Sequence, residues 1–207
     1  MPGVAFDEFG PFRALFGESG GYLSLLHISA HSVNSILKLR TVVAECGDQL
    51  DHYLGVLLAE QNWRPQLVAA AALVVADAPG NAIRALWAAL DRPCWTSPQL
   101  AAAASRVDRA FLVEARKRLA RRCRLQISAD SSMNWLERHS AIGPQSFDGH
   151  SAKLFAALAV LCQRDPDSEA WLTALLEEED ARKLLANDGD RGGEIAVRWL
   201  SGLEALL

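Results

Sequence analysis

A glycine-rich motif near the N-terminus is the first candidate for a catalytic site in the sequence. Residues Gly17 to Gly21 match Gly-x-Ser-x-Gly, a sharp turn that can present a nucleophilic serine. Such a turn needs a strand before it and a helix after it, because a sheet must hold the serine in place. No strand pattern precedes Gly17 and no parallel-sheet pattern follows it. We therefore expect a glycine-rich turn here and no nucleophile at Ser19.

His27 and His31 are a second candidate, because two histidines four residues apart share one face of a helix. Such a pair can supply two nitrogen ligands to zinc, which takes three protein ligands in catalytic sites and four in structural ones. The sequence around them contains no His-Glu-x-x-His motif and no nearby third ligand. We therefore predict surface or boundary histidines, with no metal site and no cofactor.

A third candidate is a cluster of cations that we call the basic cluster. It consists of Arg116, Lys117, Arg118, Arg121, Arg122 and Arg124. Lys117, Arg121 and Arg124 are spaced i, i+4 and i+7, which would align them as a ridge on one helix. Such a ridge could bind phosphates or an acidic protein, and its structural alternative is a solvated helix end where cations suit the helix dipole. The candidate binding residues are Arg116, Lys117, Arg121 and Arg124, and no residue is predicted to be catalytic.

The composition of the chain limits its partners. The 207 residues carry a formal net charge of −4, which gives no overall attraction to nucleic acid or to an anionic membrane. The longest apolar run extends from Leu67 to Ala76. It is too short for a membrane-spanning helix, which needs about 20 residues. The N-terminus lacks a basic and apolar signal segment, and the four cysteines form no CxxC pair. We expect a cytoplasmic protein with free, mostly buried thiols and no membrane contact.

Helical spacing recurs along the chain, whereas the alternation typical of strands is almost absent. The amphipathic stripes are Leu50, Tyr53, Leu54, Leu57 and Leu58; Ile83, Leu86, Trp87 and Leu90; Val107, Phe111, Ala115, Leu119 and Cys123; and Ile195, Trp199, Leu203 and Leu207. Residues 67–76, 100–104 and 154–162 are instead apolar nearly all round, so other elements must cover them on several sides. This pattern predicts an all-α protein in which amphipathic and buried helices alternate.

Two of these units are visibly repeated. Trp63-Arg-Pro-Gln-Leu-Val-Ala-Ala-Ala-Ala matches Trp95-Thr-Ser-Pro-Gln-Leu-Ala-Ala-Ala-Ala, and the two prolines lie 33 residues apart. Proline suits the first turn of a helix, where its missing N–H has no partner to lose. A weaker third echo begins at Pro144-Gln145. Self-similarity at this period, with a helical pair in each unit, is typical of an α-solenoid.

With these units the chain resembles bacterial HEAT-like repeat proteins, in detail over residues 46–125 and loosely over residues 150–207. The resemblance implies a short α-solenoid of stacked antiparallel helical pairs, a fold commonly used to bind other macromolecules. We predict one helical-repeat domain over residues 1–207. Its parts are an N-terminal capping segment over 1–21, regular repeats over 22–125, an irregular connection over 126–149 and C-terminal helical pairs over 150–207. The four phenylalanines among the first sixteen residues form either this cap or an exposed docking segment.

These features favour a non-enzymatic function. The predicted protein is an adaptor, inhibitor or immunity-type protein that binds another protein through its helical-repeat surface. The alternative is a nucleic-acid-binding protein that uses residues 116–124, since some HEAT-like proteins are DNA glycosylases. No second basic stripe is present in the sequence to contact the opposite strand of a duplex.

Overall fold

Helices account for all the regular structure in the part of the chain described by the computed structural model, residues 6–17, 21–76, 80–92, 94–123, 144–186 and 191–207. The α-helices are α1 (Val33–Cys46), α2 (Leu50–Ala59), α3 (Trp63–Ala76), α4 (Gly80–Leu90), α5 (Ser97–Val107), α6 (Phe111–Ala120), α7 (Pro144–Cys162), α8 (Glu169–Leu176), α9 (Glu179–Ala186) and α10 (Gly192–Glu204). Short 3-10 turns cover Phe6–Leu15, Gly21–Leu25, Ala30–Ser32, Gly47–Gln49 and Pro166–Ser168. The predicted all-α class is confirmed.

Three apolar helices form the centre of the protein. Every residue from Pro65 to Val74 in α3 is buried, as is every residue from Ser97 to Ala104 in α5. α3 packs against α5, and α5 packs against α7. Because eight of these eighteen residues are alanines with small side chains, the helices can approach closely while keeping high helix propensity. The segments predicted to be apolar all round are therefore the buried helices of the core.

Amphipathic helices cover this centre. α2 packs against α3 and α4, α4 packs against α5, and α10 crosses both α5 and α7. The crossing of α10 over α7 is close, since a β-carbon at Gly192 would lie 2.2 Å from the carbonyl oxygen of Lys153. Glycine at this position therefore lets the two backbones approach. Trp199 and Leu203 of the predicted α10 stripe are buried, whereas Leu207 follows the end of the helix and is exposed.

The stripe from Val107 to Cys123 does not lie on one helix. α5 ends at Val107, and Asp108 adopts an extended conformation. The Asp108 carboxylate accepts hydrogen bonds from the backbone N–H of Ala110 at 2.8 Å and from the indole N–H of Trp87 at 2.6 Å. These bonds stabilise a turn at the position where the periodicity predicted continuous helix, and α6 then ends at Ala120, before Arg121.

The irregular connection predicted over residues 126–149 is shorter than expected at its C-terminal end. α7 begins at Pro144, which occupies the first helical position that proline favours. The remainder of the predicted connection lies outside the described residues.

The N-terminal aromatic segment packs against α1 and α2. Phe12 and Leu15 are fully buried and Phe9 is nearly so, which contradicts an exposed docking segment at these residues. Phe9 and Phe16 pack with ring centroids 5.4 Å apart, and Phe16 continues the contact to Tyr22 at 5.9 Å. The side chain of Phe6 lies outside the described part of the chain. Within that part, no helix combines the length and the apolarity required to cross a bilayer.

Candidate functional site

Arg118 lies at the centre of the basic cluster and is buried, with 7% of its side chain exposed. It donates hydrogen bonds to Asp91 and to Glu114, each at 2.8 Å. Its guanidinium also lies over the ring of Trp87, 4.4 Å from the centroid, which adds a cation–π interaction. Because Trp87 lies in the last turn of α4 and Asp91 directly follows this helix, Arg118 connects α6 to the C-terminal end of α4.

The candidate binding residues of the cluster have intramolecular contacts of their own. Arg121 forms an ion pair with Asp91, and Lys117 donates to Glu114 at 2.6 Å. Arg116 lies over the ring of Trp171 in α8, 5.3 Å from its centroid. Arg121 follows the last residue of α6, so it does not continue a helical ridge from Lys117.

Arg124, the fourth candidate, lies outside the described residues. Arg122, just before it, pairs with Glu178, which precedes α9. Arg122 and Cys123 both have positive φ, so the chain leaves the helical direction at this point. The structure therefore brings Arg116, Lys117 and Arg121 to the C-terminal end of α6. The ridge predicted from Lys117, Arg121 and Arg124 does not lie on one helix, because α6 ends at Ala120.

The charges of the cluster are partly neutralised from within. Four of its described cations, Lys117, Arg118, Arg121 and Arg122, share three carboxylates, those of Asp91, Glu114 and Glu178. Hydrogen bonds from Lys117 and Arg118 hold the pKa of Glu114 below its usual value, although partial burial opposes the effect. An external anion would have to compete with these carboxylates, and we infer that the arrangement braces the fold.

The other candidates from the sequence are the glycine-rich motif with Ser19 and the histidine pair. Ser19 lies outside the described residues, and residues 6–15 before it form 3-10 turns where a nucleophile elbow needs a strand. His27 and His31 are exposed on either side of a turn and do not share a helical face. Within the described ranges, no three His, Cys, Asp or Glu side chains are placed to bind a metal ion together.

The four cysteines are free, and three of them are buried. Burial raises the pKa of Cys123 and of Cys162 to about 12 and also raises the pKa of Cys46. Thiols with such values remain protonated at neutral pH and are poor nucleophiles. These three buried cysteines therefore serve as small apolar side chains of the core.

An exposed apolar surface lies at the N-terminal end of α1, and we call Leu23, Val33 and Leu37 the α1 patch. Their exposed fractions are 54%, 41% and 53%. Val33 and Leu37 share a helical face because they are four residues apart. Leu23 is held beside the same end of the helix, since the Ser32 hydroxyl donates to the carbonyl oxygen of Ser24 at 2.8 Å.

A cleft of about 330 Å³ separates the end of this N-terminal region from α10, and we call it the α10 cleft. Its lining residues are Leu26, His27, Ile28, Arg191, Glu194, Ile195, Arg198 and Trp199. The indole N–H of Trp199 donates to the carbonyl oxygen of Leu25 at 2.7 Å, and the Gln99 amide donates to that of Leu26 at 3.3 Å. The N-terminal wall of the cleft is thus fastened to α10 and to α5.

Sequence reasoning missed both the α1 patch and the α10 cleft. One signal for the patch was present, because α1 carries apolar residues on two faces. Ile36, Leu39 and Val42 are buried on one face, while Val33 and Leu37 are exposed on another. No comparable signal marked the cleft, whose walls come from residues more than 160 positions apart in the chain.

Comparison of the chain with protein-family models, with curated protein sequences and with solved structures finds no match.

Proposed function

We propose that this chain is a non-enzymatic protein-binding module, an adaptor, inhibitor or immunity-type protein, that binds another protein through the α1 patch. The observation that carries the proposal is the exposure of three large apolar side chains at one end of α1. Exposed apolar surface of this kind is typical of interaction sites, because its removal from water stabilises a complex. A cytoplasmic location belongs to the same proposal.

The packing of the helices supports a short HEAT-like α-solenoid as the scaffold. α1, α3, α5 and α7 follow one another as packed neighbours, and α2 packs against α4 beside them. In these contacts each helix packs against the helix two positions further along the chain. Two rows of stacked helical pairs produce this order of contacts. In this arrangement α1 belongs to the row of inner helices and exposes one face at the N-terminal end.

The alternative function, nucleic-acid binding through residues 116–124, has weaker support. Arg118, Arg121 and Arg122 all form intramolecular ion pairs, so their charges are partly neutralised. Affinity for nucleic acid comes mainly from cations that release counterions from phosphates. Cations that first have to leave a carboxylate contribute less to that affinity.

A site-specific crosslinking experiment tests the proposal. A photoreactive phenylalanine analogue at Leu37 should crosslink the full chain to a protein partner in cells, whereas the same analogue at Val113 should not. Val113 is a matched control, because it is an apolar residue on a helix with 57% exposure on another surface. Crosslinking at Val113 with none at Leu37 would contradict the choice of the α1 patch.

A further inference from the structure

We propose that the α10 cleft binds an acidic segment of a protein partner, in which one apolar side chain is flanked by carboxylates. The inference rests on the proposed protein-binding function and adds the chemistry of the partner. Three observations carry it: an apolar floor, an excess of arginine at the rim, and walls that are already fixed in position.

The floor of the cleft is apolar. Leu26, Ile28 and Ile195 contribute aliphatic side chains, and Trp199 contributes an aromatic one whose indole N–H is already bonded to Leu25. The volume of about 330 Å³ lies at the lower end of the range of ligand sites, roughly 300–1,000 Å³. A volume of this size accommodates one or two apolar side chains of a peptide, and tryptophan is among the residues that contribute most at such contacts.

Among the described residues that line the cleft, positive charge exceeds negative charge at the rim. The cations are Arg191 and Arg198, and Glu194 supplies the one carboxylate of this lining. Arg191 lies 3.5 Å from Glu194, and both side chains are largely exposed, so this pair is weak. Arg198 is exposed and forms no ion pair with the described residues. An exposed guanidinium without an ion pair in the described part of the chain is suited to a bidentate contact with a carboxylate of the partner.

The cleft is held open before any ligand binds. Trp199 and Gln99 fasten the backbone of Leu25 and Leu26 from two different helices. Gly202 lies against Ile28, since a β-carbon at Gly202 would approach the Ile28 side chain to 3.1 Å. A preformed site loses less entropy on binding than one that must be ordered.

The cleft is also continuous with the α1 patch along the chain. Leu23 belongs to the 3-10 turn Gly21–Leu25, and the residues that follow this turn, Leu26 to Ile28, form a wall of the cleft. In the proposed complex, the partner covers Leu23, Val33 and Leu37 and also places a segment in the cleft. The α1 patch supplies apolar contact, and Arg198 supplies selectivity for acidic sequences.

Fluorescence anisotropy on the intact chain tests this assignment. The probes are short fluorescein-labelled peptides with a central leucine or phenylalanine flanked by aspartate and glutamate, together with the same peptides carrying lysine. The acidic peptides should bind the wild-type protein in a salt-sensitive manner. Arg198→Glu should weaken their binding by about tenfold or more and should increase the affinity for the lysine peptides. Arg182→Glu is the matched control, because it makes the same change of charge at an exposed position of α9 and should leave peptide binding unchanged.

The outcomes separate this inference from the proposed function. Equal binding of acidic peptides by the wild type and by Arg198→Glu would overturn the assignment of the cleft. So would an absence of peptide binding, or tighter Arg198-dependent binding of a labelled duplex DNA. In each of these cases crosslinking at Leu37 would still support protein binding through the α1 patch. Peptide binding that depends on Arg198 without any crosslinking at Leu37 would instead count against the α1 patch.

Discussion

At the scale of single residues, the basic cluster shows how burial decides the role of a charge. Arg118 is buried against Trp87 with two carboxylate partners, whereas Lys117, its neighbour in the chain, is 61% exposed. A buried charge must keep its partners, because an unpaired partner left in the interior is strongly destabilising. An exposed ion pair contributes little, because water and salt screen it. The two residues therefore allow a matched comparison.

Arg118→Gln should lower the stability of the protein, and Lys117→Gln should not. We expect the first substitution to cost about 2 kcal/mol, because it removes charge-assisted hydrogen bonds to Asp91 and Glu114 and the contact with Trp87, while Arg121 and Lys117 still pair with the two carboxylates. In a chain of this length such a loss lowers the Tm by roughly 4–8 °C. The second should change stability by less than about 0.5 kcal/mol. Calorimetric melting measures both, and equal Tm values for the two variants would contradict the role of Arg118 as a brace.

Glu114 should make the stability depend on pH. Its pKa in the folded protein is lowered from 4.5, chiefly by the hydrogen bond from Lys117 and also by that from Arg118. Folding therefore favours the ionised form, and this stabilisation is present above the unfolded pKa and lost as the pH falls through the folded pKa. Glu114→Gln should lower the Tm at about pH 7, and the difference in Tm from the wild type should become progressively smaller toward about pH 3. A Tm difference that stays constant over this range would show that the carboxylate is not responsible.

At the scale of helices, the sequence predicted what local periodicity controls. The apolar stripes located α2, α4 and α10, and the unbroken apolar runs located the buried helices, because period and polarity reflect which faces meet water. The break at Asp108 was not predictable in this way. Val107 and Phe111 keep helical spacing across it, and the turn depends on a bond from Trp87, which lies 21 residues away in the chain. Periodicity contains no information about such a contact.

Leu67→Asp and Leu100→Asp should each unfold the protein. Both leucines are fully buried in the central helices, and a carboxylate there has no partner. We expect a loss of more than about 4 kcal/mol, a large part of the stability of a domain. Circular dichroism and thermal melting measure the effect, with Leu37→Asp as the exposed control. Wild-type Tm values for both buried variants would show that α3 and α5 are not the core.

At the scale of the whole molecule, the candidate sites arise where distant segments meet. The contacts of Arg121 with Asp91 and of Arg122 with Glu178 join residues 30 and 56 positions apart. Contacts over such separations leave no signal in local spacing, and the sequence alone therefore indicated a ridge without carboxylate partners. The walls of the α10 cleft likewise come from distant segments, since Leu25 and Leu26 accept hydrogen bonds from Trp199 and Gln99. By contrast, the two apolar faces of α1 were visible in its sequence.

The central claim is that the chain binds a protein through the α1 patch, and an equilibrium binding measurement tests it most directly. Once crosslinking has identified the partner, that protein would be purified and titrated by calorimetry against the wild type, Leu37→Asp and Val113→Asp. These two substitutions place the same charge at exposed apolar positions on different surfaces. Leu37→Asp should raise Kd by about 30-fold or more, as expected for a residue at the centre of an interface, and Val113→Asp should leave Kd unchanged. Equal Kd values for the wild type and Leu37→Asp would contradict the proposal.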